Sequence, residues 1–312
     1  MFRLKLVPDN SSFRFLKLFK FGFVFSIILI MLSIGSFFYQ GLNLGIDFKG
    51  GILIEAKSKQ GKADVQQLRS ELGEMSFGDV SIQLFGAEDE VLIRIQKQEG
   101  DEQAQVQVTK KVNTMISDNY IVRRTEFVGP TIGAELTQKG ILAVLSALAA
   151  IMIYIWFRFE WQYSIVAILA LSHDVISTIG FFSLTSFEFN LATIAAILTI
   201  AGYSINDTVV VFDRIRENFR RYKSWEQNDI INKSLNETLS RTVMTSITTA
   251  LALIAIMVFG GPVLRDFAAA MLWGVLIGTY SSIFIAAGVL TYVTLNRSGD
   301  DSSDIPKPEF EE

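Results

Sequence analysis

The chain has no cysteine, a single histidine and only five prolines in 312 residues. Without cysteine there is no disulfide and no thiolate metal ligand. One histidine cannot complete a zinc site by itself, so no metal is expected. Redox compartment stays open, since an exported domain folds without bridges. Scarce proline suits long, unbroken helices. The formal net charge of −4 is too small to imply a nucleic-acid partner. The chain lacks a G-x-x-x-x-G-K phosphate loop, and no nucleophile stands at a suitable spacing from a base. Neither ATP, nor another cofactor, nor enzymatic activity is therefore expected.

What is present is apolar and clustered. Half of the residues are hydrophobic, 25 of them phenylalanine, and the mean hydropathy is +0.36. A water-soluble domain seldom reaches that value, because its surface must be polar. A bilayer core about 30 Å thick needs roughly 20 apolar helical residues to cross it. Six segments qualify: residues 20–38, 139–157, 162–184, 189–212, 242–260 and 266–293. The first exceeds the usual signal-peptide core, and Ser36-Phe37-Phe38 is a poor cleavage site. It reads as an uncleaved anchor.

Basic residues in short flanks set the orientation. They gather in the 1–19 tail (Arg3, Lys5, Arg14, Lys17) and in the 213–241 loop (Arg214, Arg216, Arg220, Arg221, Lys223, Lys233). Six crossings then put both termini inside and residues 39–138 outside. The acidic tail, 294–312, reads as disordered.

The outer segment has the composition of a small soluble domain. Strands are expected at Gly51–Lys57, Val80–Phe85, Val91–Ile95 and Tyr120–Phe127, with an acidic turn between the middle pair. Helices are expected at Asp64–Leu72 and Asp101–Ile116. The order β-α-β-β-α-β is that of a ferredoxin-like unit. The fold class is thus a six-span α-helical membrane protein carrying one small α+β ferredoxin-like domain outside the membrane. That domain has no His or Cys and no catalytic constellation, and reads as a binding or scaffolding module.

The informative residues are ionisable groups inside spans, where a charge costs about 2.5–3.5 kcal/mol even on insertion scales. Span four carries Asp207, beside Asn206 and within a turn of Ser204. Gly202, just outward, permits a kink or a close helix contact. Arg241, at the entrance of span five, is the candidate cation, followed by Thr242, Thr245, Ser246, Thr248 and Thr249. An acid poised between burial and a cation can take up and release a proton. The alternative is a static ion pair locking spans four and five together, or an Arg241 that simply snorkels. Span three carries His173 and Asp174. They read either as a proton relay or as a hydrogen-bonded packing contact to span four. Gly274-Val-Leu-Ile-Gly278 in span six is a small-residue packing signal.

Three segments together resemble the SecF branch of the SecD/SecF family of protein-export membrane proteins. They are Gly45-Ile-Asp47-Phe48-Lys-Gly50-Gly51, Gly202 through Asn218, and Ser240-Arg241-Thr242 with Phe259-Gly-Gly-Pro-Val263. Ser172-His173-Asp174-Val175 also fits. The resemblance covers nearly the whole chain and implies one six-helix half of a resistance-nodulation-division (RND) architecture, whose other half is a separate SecD. It further implies use of the proton gradient, without ATP, to promote preprotein translocation through the SecYEG channel of the bacterial inner membrane, with YajC as a further partner. It assigns Asp207 and Arg241 to proton transfer with an acidic residue of SecD, and makes the 39–138 domain periplasmic. The residues alone leave two other readings open, a half-transporter for a small molecule or lipid and a non-transporting scaffold. For the glycine motif, the simplest reading is a tight turn in which Asp47 caps or bonds that same turn, rather than a substrate contact.

Overall fold

The computed structural model describes residues 12–75, 77–78, 80–96, 102–260 and 262–295. The basic residues Arg3 and Lys5, Gly261 and the acidic tail from Arg297 onward lie outside the described residues.

Helix α1 (Phe15–Gln40) ends at Gly41, whose φ of 69° favours glycine. A single turn, α2 (Ile46–Lys49), leads into the outer domain: β1 (Gly51–Ser58), α3 (Val65–Gly73), β2 (Val80–Phe85), β3 (Ala87–Ile95), α4 (Glu102–Ile116) and β4 (Tyr120–Val128). The sheet is antiparallel throughout, in the order β2-β3-β1-β4. That is the ferredoxin-like arrangement the element order implied. Register is set by burial, because successive side chains alternate between faces. Ile54 stands opposite Ile93, and Ile93 opposite Ile82, forming one buried row. These residues pack with Leu68 and Leu72 of α3 and Val112 and Ile116 of α4. The opposite face of the sheet contributes Leu53 and Leu92 to a small cluster with Ile46 of α2. The turn between β2 and β3 falls at Gly86 (φ 83°), so Glu88, Asp89 and Glu90 lie inside β3 and not in the turn. Only glycine enters that backbone region without strain.

Helix α5 (Pro130–Arg158) begins with proline, whose missing N–H is no loss there. It is followed by α6 (Trp161–Thr185), α7 (Leu191–Arg221), α8 (Gln227–Phe259) and α9 (Pro262–Ser281). The last helix continues through a π-helical stretch, Ser282–Ala286, into α10 (Ala287–Leu290). Among the described residues, six helices are long and apolar enough to cross a membrane. Within the bundle α6, α7 and α9 form the interior, while α1, α5 and α8 leave most of their surface exposed. Phe21, Met31, Leu142, Leu251 and Val258 belong to that outward apolar surface.

The expected 213–241 loop is instead largely helical. α7 runs to Arg221 and α8 starts at Gln227, leaving only residues 222–226 irregular. The reason is an apolar stripe that charge counting hid. Phe212, Ile215, Phe219 and Tyr222 bury against Trp225, Ile230, Ile231 and Leu235, making a packed helical hairpin. Its charges then pair laterally: Arg158 with Asp213, and Arg214 with Glu217 and Glu237.

Candidate functional site

α7 organises every polar contact of interest. Asn190 caps its N-terminus in a reciprocal capping box with Thr193. The helix then runs 31 residues to Arg221.

About 24 Å along that axis, 16 residues on at 1.5 Å each, lies Asp207. It is buried, at 7 % exposure. Its Oδ1 accepts a 3.0 Å hydrogen bond from Thr242 Oγ1 of α8. Its Oδ2 has no partner among the described residues. Arg241 is exposed and makes no ion pair with Asp207 within 4.0 Å among the described residues, although it adjoins Thr242, which bonds that carboxylate. The Asp207–Arg241 ion pair is therefore not formed, and α7 and α8 are tied by ions only further along, at Arg214–Glu237. A hydroxyl makes the link, and the cation stands by.

Asn206 and Gly202 do not turn inward. Both are exposed, and a Cβ at Gly202 would meet nothing within 4 Å, so this glycine makes no close helix contact among the described residues. Nor does it interrupt α7. With Ala195 and Thr199 it forms an exposed stripe of small and polar residues at helical spacing. Arg241, Thr245, Thr248 and Ala252 of α8 form a second exposed stripe. The two flank the Asp207–Thr242 bond.

One turn away along α7, at Ser204, the helix meets Asp174 of α6, which is fully buried. Its Oδ2 accepts from Ser204 Oγ of α7 at 2.5 Å and from Ser281 Oγ of α9 at 2.7 Å, and its Oδ1 lies 3.0 Å from His173 Nδ1. One carboxylate thus ties three helices together. Of the two readings of this pair, the hydrogen-bonded contact to span four has its counterpart in the Ser204 bond, which leaves the relay open. Asp174 and Asp207 have separate hydrogen-bond partners, one turn apart on α7. Sequence reasoning missed Ser281, and also Ser282, which bonds Thr208 at 2.9 Å where the π-helical stretch begins. Two adjacent serines in an apolar span were the available signal. The Gly274–Gly278 pair packs on α7: a Cβ at Gly274 would come within 2.3 Å of Ile200, and one at Gly278 within 3.0 Å of Ser204.

The glycine motif after α1 is seated on the outer end of α7. Gly50 and Gly51 have φ of 71° and 126°, as a tight turn requires. Asp47, however, does not bond that turn. Its Oδ2 accepts from the backbone N–H of Leu191, the first residue of α7, at 2.9 Å. Gly45 N–H donates to Phe189 O at 2.9 Å, and Phe189 N–H to Asn43 O at 2.8 Å. Arg94 of β3 pairs with Glu188 in the same α6–α7 connection. Nearby, a cleft of about 200 Å³ is lined by Asp47, Glu55, Glu126, Arg124, Glu188 and Asp266, among others. Its acidic lining is unlike an apolar ligand pocket.

Comparison with known proteins matches this arrangement to one family. The description "Protein export membrane protein SecD/SecF, C-terminal" fits residues 107–296, and "SecD/SecF GG Motif" fits residues 35–62. The chain belongs to the SecD/SecF family. Among its relatives are the protein translocase subunits SecF of Rickettsia bellii and Calditerrivibrio nitroreducens. The first is 45% identical, covering 93% of this chain and 96% of the relative; the second is 46% identical, covering 92% and 96%. The crystal structure of SecDF from Thermus thermophilus, a translocon-associated membrane protein, superposes with a TM-score of 0.83 at 36% identity. SecDF in a super-membrane-facing form gives 0.68 at 36% identity. The chain covers 92% and 93% of its own length in these matches but only 39% and 40% of those structures. It therefore corresponds to one part of the SecDF polypeptide. The family's GG motif is the segment seated on α7, and its C-terminal region contains both buried aspartates.

Proposed function

We propose that this chain is the SecF half of a SecD–SecF motor. In this reading it uses the proton motive force to promote preprotein translocation through the SecYEG channel across the bacterial inner membrane. The observation that carries the reading is Asp207: a buried carboxylate with one oxygen satisfied by Thr242, the other unpartnered among the described residues, and a cation nearby but not in contact. Such an acid has room for a proton and a reason to release it.

Physical support comes from the two exposed stripes beside it. Asn206, Thr199, Thr245, Thr248 and Arg241 would be poorly solvated by lipid tails, and small residues such as Gly202, Ala195 and Ala252 let helices approach closely. A second six-helix half, SecD, covers this face and contributes the acid that shares the proton with Asp207. The short basic flanks support a reading with both termini in the cytoplasm and the ferredoxin-like domain in the periplasm. No nucleotide is required. Each charge crossing the membrane supplies about 2.3 kcal/mol per 100 mV, enough to shift a two-state equilibrium roughly fiftyfold.

The test is Asp207→Asn in membrane vesicles containing SecD and the channel. Assembly is expected to persist while gradient-dependent export is lost. Full export by that variant refutes the motor and leaves an assembly role.

A further inference from the structure

The geometry points to a mechanical role for the glycine motif: Asp47 is the latch that joins the outer domain to α7, so that movement of the helix bearing Asp207 is delivered to that domain. As a mechanism this rests on the motor reading above. As a statement about the joint it stands on geometry alone.

The outer domain is held to the membrane bundle in two ways. Its covalent connections run through glycines. Gly41, Gly50 and Gly51 adopt positive φ on the α1 side, and Gly129, with φ of −67°, precedes α5 on the other. Lacking a Cβ, glycine restricts the backbone less than any other residue. The other attachment is a compact non-covalent joint onto the α6–α7 connection. There Asp47 accepts from Leu191 N–H, the Asn43–Gly45 backbone pairs with Phe189, the Phe48 and Phe189 rings lie 5.9 Å apart, and Arg94 pairs with Glu188.

Within that joint Asp47 has a distinctive position. The first N–H groups of a helix have no intrahelical acceptor. Asn190 satisfies Thr193 N–H from within the helix, whereas Leu191 N–H is satisfied from the outer domain's own lead-in segment, 144 residues away in sequence. A carboxylate at a helix N-terminus is further held by the helix dipole. α7 continues without interruption from this bond, past Ser204 and Asp207, to Arg221. A rod contacted at one end and driven from its middle moves both ends. The motif is also confined sideways, since a Cβ at Gly133 of α5 would lie 3.3 Å from Phe48 O and 3.4 Å from Gly50 N. Asp47 is thus a positioning residue, acting through α7 and not on the proton.

The distinguishing experiment separates the oxygen acceptor from the charge. Asp47→Asn keeps an acceptor for Leu191 N–H, and Asp47→Ala removes it. The chain lacks cysteine, so cysteines replacing exposed Gln107 on α4 and exposed Arg220 on α7 carry spin labels at unique sites. In the full chain assembled with its partner, Asp47→Ala is expected to raise the undocked population about tenfold, seen as a broadened distance distribution. Gradient-driven export falls with it. Asp47→Asn stays close to wild type on both measures, and carbodiimide labelling of Asp207 is unchanged in either variant. Should Asp47→Ala fail to assemble, Gly45→Ala, whose Cβ would meet Glu188 Oε1 at 2.5 Å, attacks the same joint and should broaden the distribution likewise. A narrow, wild-type distribution in the tested variant overturns the latch, as does loss of Asp207 labelling in Asp47→Ala. Normal export by Asp207→Asn would overturn the motor instead, leaving the distance result to decide the latch.

Discussion

The two regions of this molecule differ in how much polar chemistry they bury among their apolar side chains. The ferredoxin-like domain, which faces water, keeps an apolar interior of Ile52, Ile54, Leu68, Leu72, Ile93 and Ile116. The membrane bundle buries Asp174, Ser204, Asp207, Thr208, Thr242, Ser281 and Ser282 where α6, α7, α8 and α9 meet. In water, burying apolar area is the driving force and each buried polar group is a liability. In lipid, helices gain little by hiding apolar surface from tails that are equally apolar. Close packing and hydrogen bonds must then distinguish one helix arrangement from another. The outer domain's core therefore specifies a shape. The bundle's polar core specifies an arrangement that can have an alternative.

The sharpest way to break this contrast is Asp174→Ala. It leaves Ser204, Ser281 and His173 facing a void where one carboxylate served all three. A loss of about 4 kcal/mol is expected, read as a lower melting temperature in detergent, with the outer domain still resistant to protease. An unchanged melting temperature would mean that packing alone orders the bundle. Next in size is the mirror experiment, Ile93→Ala, at the centre of the sheet and fully buried. It should cost about 3 kcal/mol and expose β3 to proteolysis while the helices melt as before. If both variants disturb both regions equally, the two cores are one cooperative unit.

Gly274→Ala sharpens the comparison within the bundle. The added methyl must push Ile200 aside at an α7–α9 contact with no spare room. The expected cost is about 2 kcal/mol, again by thermal melting. Equal stability would show that α7 and α9 separate freely.

How much of this was legible in the chain follows the same division. The outer domain was readable because alternation and turn residues are local signals: strands β1, β2 and β4 and helices α3 and α4 fall within a residue or two of expectation. The spans were readable for the same reason, being runs of apolar residues. The type of acid and its depth marked Asp207 and Asp174. Their partners were legible only in kind, as a contact to span four and a hydroxyl stripe on span five, and not residue by residue. Thr242 lies 35 residues from Asp207, and Ser281 lies 107 from Asp174. Nothing local says which hydroxyl a carboxylate will meet. The same holds for Asp47, whose short-range reading as a cap on its own turn was reasonable, but whose acceptor oxygen found α7 instead. The helical hairpin around residues 213–241 was hidden because its charged residues outnumber the apolar stripe that packs it.

The smallest effect expected is at the border between the two regions, in the Arg94–Glu188 pair. Burial pushes the Glu188 carboxyl up from the ordinary glutamate range, and Arg94 pulls it back only in part. An acid raised on burial favours the docked state when it is protonated. Its contribution is complete below the ordinary glutamate range and is lost as pH rises through the raised value. Docking of the outer domain on the α6–α7 connection should therefore loosen slightly across that window, detected as a pH-dependent broadening of the Gln107–Arg220 label distance. Glu188→Gln imitates the protonated form and keeps an oxygen for Arg94. It should cost less than about 1 kcal/mol and flatten the pH response. Arg94→Ala should do the reverse, since it strands a carboxylate that is already poorly solvated. A Glu188→Gln variant that detaches the domain at every pH would show that charge holds the border, as it does on a soluble surface, and not the neutral contact that a low-dielectric boundary prefers.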